Sequence, residues 1–338
     1  MSKSILIIIL NWNCADDTVE AIRSVYASKV EPYCYDIFLV DNGSKDDSVQ
    51  TLRAFFASGG FRVEEIRDLQ MGIAEKGTKK IFFYISPVNT GFAGGNNIGM
   101  RFALKNGYDF VFLLNADAMV SRDCIRALAH TMDKDRRIGI VGPKVYYFDF
   151  NGKKNVINFA GGKFDVWRGE SIPIGRYEED MGQYNGMYDT EYVEGSAFMV
   201  RTGTLTTVGL FDENYFAYWE ECDLCTRARK SGWRVCYTGD TWIRHKIQSS
   251  IRKNSIQNFD LARYYSFRNR LYFVRKHRNI IMRFTTMTYT IYQLTYMTIG
   301  KLIKEQGKDI STAVIFARNV LFDFITGRMG EKRITGLK

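Results

Sequence analysis

The residues best placed to do chemistry in this chain are acids next to bulky apolar groups or at the ends of apolar runs. Glu220-Glu221-Cys222-Asp223 follows the aromatic run Tyr215-Phe216-Ala217-Tyr218-Trp219 at a predicted helix start. Apolar neighbours strip water from a carboxyl, raise its pKa and suit it to work as a general base. Acids also gather in the first turn of a helix to complement its dipole, which explains the run without any catalytic role. Asp117 closes Leu113-Leu114-Asn115-Ala116-Asp117. A carboxylate directly after an apolar strand is a natural ligand for a hard divalent cation bridging phosphates, and equally a cap for the segment that follows.

Asp41 precedes Asn42-Gly43-Ser44, a turn-forming trio that holds the carboxylate where it can accept hydrogen bonds from a base or ribose; a turn and helix cap with no ligand explains it as well. Asn89-Thr90-Gly91-Phe92-Ala93-Gly94-Gly95-Asn96-Asn97 has glycines that permit close backbone approach to a ligand at a helix N-terminus. It lacks the Gly-Lys-Ser/Thr of a phosphate-binding loop, and Gly-x-Gly-x-x-Gly does not follow the first strand. His245, one of 3 histidines, is a structural residue or a ligand. Cys222-x-x-Cys225 lacks a second pair or a histidine at zinc spacing and reads as helix packing.

These residues need a scaffold, and the hydrophobic pattern supplies one. The apolar run Ile5–Leu10 precedes an amphipathic stretch Ala15–Tyr26. The pairing repeats as Asp36–Val40 with Ser44–Phe56, Lys80–Ile85 with Gly95–Leu104, and Phe110–Leu114 with Ser121–Met132, before Ile138–Val141. Alternating buried strands and helices predict an α/β parallel sheet covered on both faces, with ligands at the carboxyl ends of its strands. Gly59–Lys79 reads as an insertion on the sheet periphery. After Gly142 the pattern changes to strands and turns (Lys144–Phe150, Val156–Trp167, Tyr192–Arg201), a helix near Trp219 and a strand Arg234–Tyr237. A smaller antiparallel or mixed portion is expected there, completing the site from the far side.

With 46% apolar content and 4 prolines, the chain is an ordinary globular one. Its charge is uneven: from Arg244 onward 19 Lys and Arg face 5 Asp and Glu, whereas the preceding residues carry 28 and 32. A body of slight negative charge thus carries a basic end, which favours an anionic partner. Six scattered cysteines fit a reduced, cytoplasmic setting, and Ile5–Leu10 is too short for a signal peptide or membrane span. Phe284–Ile303 is uncharged up to Lys301 and rich in Thr, Tyr, Met and Ile, which fits a helix packed on the protein's own core, on a partner or homodimer contact, or on a membrane surface.

In order along the chain stand Asn11-Trp12-Asn13, Val40-Asp41-Asn42-Gly43-Ser44, the segment Asn89–Asn97, Asn115-Ala116-Asp117, Gly142-Pro143-Lys144, Val193-Glu194-Gly195-Ser196-Ala197, Gly209 to Glu213, Trp219 to Arg227 and Arg268-Asn269-Arg270. From Ile5 to about Lys276 the chain resembles a family 2 glycosyltransferase of the rhamnosyltransferase-like branch. The resemblance implies the α/β GT-A type fold, a Rossmann-like, mostly parallel sheet flanked by helices. The catalytic domain would span 1–250, with a nucleotide-sugar half to about 142 and an acceptor half beyond it; residues 251–338 would form a basic helical extension.

The resemblance also implies roles. Asn11, Trp12, Asp41, Asn96 and Asn115 would hold the donor, dTDP-rhamnose or a UDP-sugar, with Asp117. Asp117 and His245 would bind Mg2+ or Mn2+ on the diphosphate. Glu194, Arg268 and Asn269 would lie on the acceptor or diphosphate side. Of Glu220 and Glu221, the second would be the base of a single inverting displacement onto a hydroxyl of a glycan or lipid-linked acceptor, in surface polysaccharide synthesis on the inner face of the cell membrane. Two positions depart from the family pattern: Asn115 replaces the first acid of the metal motif, and Glu221 is one methylene longer than the usual Asp. They keep open a catalytically silent relative that binds without turnover. The Gln-x-x-Arg-Trp motif of processive synthases is absent, so the resemblance favours adding one or a few sugars. No nucleic-acid motif accompanies the basic end, so nucleic acid is not the expected partner.

Overall fold

The computed structural model describes residues 2–69, 72–73, 75–246, 255–304 and 310–332. Its centre is β1 (Ser4–Asn11), an isoleucine- and leucine-rich strand buried on both faces. Parallel partners flank it: β2 (Cys34–Asp41) on one side and β5 (Phe110–Asn115) on the other. The register sets Asn11 opposite Asp41 and Leu10 opposite Asn115, so the polar residues ending three neighbouring strands share one carboxyl edge. The chain order reverses direction across β1, and such a switch point opens a crevice for ligands. Beyond β2 lie β4 (Ile81–Ile85) and, at the edge, β3 (Val63–Ile66), both parallel. The segment Gly59–Lys79 therefore lies at the periphery as expected, and extends the sheet with a strand of its own.

Helices α1 (Ala15–Tyr26), α2 (Ser48–Gly59), α3 (Gly91–Lys105) and α4 (Cys124–Lys134) follow the strands as the periodicity predicts. The later region differs from expectation. The short β6 (Ala118–Val120) leads on to β7 (Ile138–Tyr147), which runs unbroken through Gly142-Pro143 and unites two expected strands. Next come β8 (Ile157–Phe159), the hairpin of β9 (Gly162–Asp165) and β10 (Glu170–Pro173), β11 (Met187–Asp189), β12 (Ala197–Arg201) and β13 (Arg234–His245). Among the described residues β12 inserts antiparallel between β5 and β7, and β13 joins β7 in parallel. The expected mixed portion is part of the same sheet: among the described residues one mixed sheet runs from β3 to β11, and the β9–β10 hairpin forms a small sheet of its own.

Helices α5 (Thr202–Val208) and α6 (Glu220–Lys230) cover this half. The basic end forms α7 (Ser255–His277), α8 (Ile280–Lys304) and α9 (Ile310–Ile325). These three pack on one another around Tyr264, Tyr265, Leu294 and Val320, but Phe273 and Val274 of α7 belong to the main core. The expected boundary near residue 251 therefore does not separate two cores.

The glycines of the Asn89–Asn97 segment serve packing. A Cβ on Gly95 or Gly99 would strike Leu10 or Ile8 of β1, and one on Gly91 would lie 2.4 Å from the Phe216 carbonyl oxygen. Gly91 also has φ +74, a conformation costly for any side chain. The close backbone approach thus brings α3 against the protein itself. Gly91→Ala is expected to destabilise the fold by about 1–3 kcal/mol, measurable as a lowered urea midpoint with an unchanged slope.

Candidate active site

Strand pairing assembles the site. β6 and β13 run antiparallel with Ala118 opposite His245, and the Lys246 amide donates to the Asp117 carbonyl (3.0 Å). Residues 128 positions apart thereby meet: His245 Nε2 lies 3.0 Å from Asp117 Oδ1. Antiparallel pairing of β12 with β5, extended by the Asn115 amide bonding to the Ser196 carbonyl (2.8 Å), brings Glu194-Gly195-Ser196 alongside. Glu194 Oε1 accepts from Asn158 Nδ2 on β8 (2.8 Å) and lies 3.5 Å from His245 Nδ1. Asn158, Glu194, His245 and Asp117 thus form a continuous polar chain. Burial would lower the His245 pKa, but the carboxylates of Asp117 and Glu194 outweigh it and hold the imidazole up to about 10.

The two glutamates at the start of α6 stand next to this chain. Glu220 is enclosed, whereas Glu221 keeps some exposure and lies over Gly195, where a Cβ would come 3.7 Å from its carboxyl carbon. Burial pushes Glu221 up to about 7, with the Glu194 carboxylate adding to the shift. Burial and the charge of Glu221 hold Glu220 well above the ordinary carboxylate range. One oxygen each of Glu194, Glu220 and Glu221, together with Asn158 Oδ1 and Ser196 Oγ, is buried without a hydrogen-bond partner among the described residues. Buried polar atoms are nearly always paired, so these atoms mark a place built for polar ligand atoms or water.

The loop entering α6 is strained. Phe216, Tyr218 and Trp219 have φ of 63, 72 and 78, each in the left-handed region that side chains avoid. Asn269 and Arg268 on α7 hold it. Asn269 Nδ2 donates to the carbonyls of Tyr215, Ala217 and Tyr218 (2.8 Å each), and Arg268 donates to those of Asn214, Tyr215 and Gly330. One turn into α6, Asp223 is enclosed by Arg227 (2.7 Å), Lys276 (2.8 Å) and His277 (2.7 Å). Burial would raise its pKa, but the hydrogen bond to His277, the charge of Arg227 and the hydrogen bond and charge of Lys276 hold it well below the usual carboxylate range.

Several residues expected at the ligand are bonded to the protein itself. Arg268 and Asn269 are buried, with Asn269 donating to the loop and Arg268 to the loop, to Gly330 O and to Asn269 Oδ1. Asn96 donates to Phe92 O within α3 (2.9 Å) and is buried. Asn11 and Asp41 bond to each other (2.7 Å), and Ser44 donates to Asp41 from its hydroxyl and amide, so this pair mainly builds the turn at the sheet edge. Trp12, Asn115 and Asp117 remain partly exposed at that edge. Sequence reasoning missed Asn158 and His277, which stand in no recognisable motif. It also missed the Asp223–Arg227 pair, although its i, i+4 spacing was a readable signal.

Asp117 and His245, hydrogen-bonded to each other in this structure, carry the carboxylate and imidazole that would hold a divalent cation once the proton between them is lost. No group of three or more His, Cys, Asp or Glu side chains converges on a metal position among the described residues. Such an ion would take its other ligands from phosphate oxygens and water.

A central parallel sheet with its polar carboxyl edge, closed by antiparallel β12, is the framework of the GT-A glycosyltransferases. A mannosyltransferase of Pyrobaculum calidifontis, solved with GDP-Man and Mn2+, shares the fold with a TM-score of 0.58 at 12% identity, over 97% of this chain and 88% of that one. The chain belongs to glycosyl transferase family 2, which it matches over residues 6–202; it also matches glycosyl transferase family group 2 over residues 110–315. Among its relatives is the low-salt glycan biosynthesis hexosyltransferase Agl10 of Haloferax volcanii, 24% identical over 70% of this chain and 74% of that protein. The N-acetylglucosaminyl-diphospho-decaprenol L-rhamnosyltransferase of Mycobacterium tuberculosis is 39% identical over 43% of this chain, which spans 49% of that relative. These likenesses place the chain in the rhamnosyltransferase-like branch.

The strained loop yields a direct test. Asn269→Ala leaves the carbonyls of Ala217 and Tyr218 without their side-chain donor, while Tyr215 keeps Arg268, and is expected to cost at least about 2 kcal/mol. Chemical denaturation measures the loss.

Proposed function

We propose that the protein is an inverting glycosyltransferase. It moves rhamnose or another hexose from a nucleoside-diphosphate sugar, dTDP-rhamnose or a UDP-sugar, to a hydroxyl of a glycan or lipid-linked acceptor in surface polysaccharide synthesis. The observation that carries the reading is Glu221: a partly exposed carboxyl with one buried, unpartnered oxygen, its pKa raised to about 7 by burial, next to the chain linking Glu194, His245 and Asp117. The relative named for a diphospho-decaprenol acceptor supports a lipid-linked substrate, and so supports work at the inner face of the membrane.

Trp12 and the turn built by Asn11, Asp41 and Ser44 form the nucleotide wall, with Asn115 closing the sheet edge. Asp117 and His245 would hold Mg2+ or Mn2+, which would supply positive charge to the departing diphosphate. Glu221 takes the proton of the acceptor hydroxyl as that oxygen bonds to the anomeric carbon. The bond from this carbon to the diphosphate oxygen breaks on the opposite face, inverting the centre. Glu220 stays protonated behind Glu221, so only one negative charge develops in the pair. Glu194 orients His245 and completes the polar wall.

The test is transfer measured with donor, metal and acceptor supplied. Glu221→Gln is expected to lower kcat on the order of 10²–10⁴-fold while donor binding, read by thermal shift, persists. Asp117→Ala is expected to abolish the metal-dependent part of that shift. A wild-type protein that binds donor but transfers to no acceptor would establish the silent relative instead.

A pH profile gives a second check. Glu221 works only when ionised, so kcat/KM rises as pH increases through about 7 and levels off above it. A profile flat from pH 5.5 to 8.5 would remove Glu221 as the base.

A further inference from the structure

Helix α8 is amphipathic in the reverse of the usual sense. Its inward face carries Thr286 and Thr290, both fully buried, with Leu294. Arg270 of α7 donates to Thr290 Oγ1 and Gln293 Oε1, 2.7 Å each, so Thr290 and Gln293 on the polar side of the helix are paired with the protein. The outward face carries Ile281, Phe284, Ile291, Tyr292, Tyr296 and Ile299, with Phe284 70% and Tyr296 68% exposed. Only threonines interrupt it, and no charged residue occurs from Phe284 to Ile299. A helix facing water alone would present the opposite pattern.

The β9–β10 turn continues this face. Its backbone meets α8 where a Cβ on Gly169 would lie 2.6 Å from Thr286, and the Arg168 guanidinium lies over the Tyr289 ring at 5.4 Å. The turn leaves Trp167 57% exposed. Tyr289, Tyr292 and Tyr296 follow one another at 6.4 and 6.3 Å between ring centroids. Trp and Tyr carry an apolar body and a polar tip, the chemistry suited to the level of lipid headgroups.

Charge selects the occupant. No acidic residue occurs from Leu261 to Lys304, and the exposed Arg168 stands at the edge of the face, its guanidinium over the Tyr289 ring. A second copy docked by the same face would set this basic fringe against itself. An anionic leaflet meets both the apolar face and the fringe. No helix among the described residues is long and apolar enough to cross a membrane, so α8 would lie along the surface.

We propose that the outer face of α8, together with Trp167, is a docking surface for an anionic lipid leaflet. The same hairpin reaches the reaction centre, since Phe164 of β9 stacks on Trp219, the residue before Glu220, at 6.3 Å.

The experiment is co-sedimentation of the full chain with vesicles of phosphatidylcholine alone and of phosphatidylcholine with phosphatidylglycerol, at low and high salt. Binding is expected only with phosphatidylglycerol and is expected to weaken with salt. Phe284→Glu combined with Ile291→Glu should weaken it at least about tenfold while the donor-induced thermal shift stays unchanged. If the double variant loses its cooperative melt, Tyr296→Glu alone replaces it. Failure of the wild type to bind phosphatidylglycerol vesicles, or undiminished binding by the variants, overturns the proposal. Equal binding to phosphatidylcholine alone overturns the anionic assignment, and a light-scattering dimer that the variant dissociates assigns the face to a second copy. None of these readouts requires turnover, so they stand or fall apart from the transfer reaction.

Discussion

Two adjacent carboxyls withdrawn from water are the constraint on which the rest of this molecule depends. Glu220 and Glu221 lack the solvation and counter-charge that acids normally have, and a structure left to relax would turn them outward. They are kept in by a loop with three residues in the left-handed region. That conformation persists because Asn269 and Arg268 take up the loop's carbonyls, while Asp223 fixes the first turn of α6 to Arg227, Lys276 and His277. Strain in the loop, burial of the acids and the buried polar contacts of α7 are three sides of one arrangement.

The sheet solves a different problem, bringing together groups far apart in the chain. Parallel strands around β1 give a row of polar ends but cannot by themselves deliver an acid, an imidazole and a second carboxylate to one point. Inserting β12 between β5 and β7, and returning β13 against β6, does so by backbone register alone. Asp117 and His245 therefore owe their 3.0 Å separation to main-chain hydrogen bonds, and substitutions in the side chains around them leave the pairing in place.

Much of this was legible in the sequence. Buried strands such as Ile5–Leu10 announce themselves because isoleucine-rich runs have few other homes, and the acids at α6 were visible from the aromatic run before them. Asn89–Asn97, Arg268 and Asn269 have partners within the protein that the sequence does not reveal, for one shared reason. Glycines, amides and guanidinium groups serve a ligand and the protein's own backbone with the same chemistry, and only the fold decides which is within reach. Gly91 meets Phe216 O and Asn269 meets three carbonyls, partners that no local pattern encodes. Asn158 and His277 were invisible because their partners lie 36 and 54 positions away.

The contribution of α7 to the catalytic loop also limits how this architecture can be divided. A helix that carries Phe273 and Val274 into the main core and lends Asn269, Lys276 and His277 to the start of α6 is not an exchangeable cassette. Chimaeras joined near residue 250 would have to carry the loop 215–223 and its α7 partners from the same parent. The loop and its α7 partners thus behave as one structural unit, although more than 40 positions of sequence separate them.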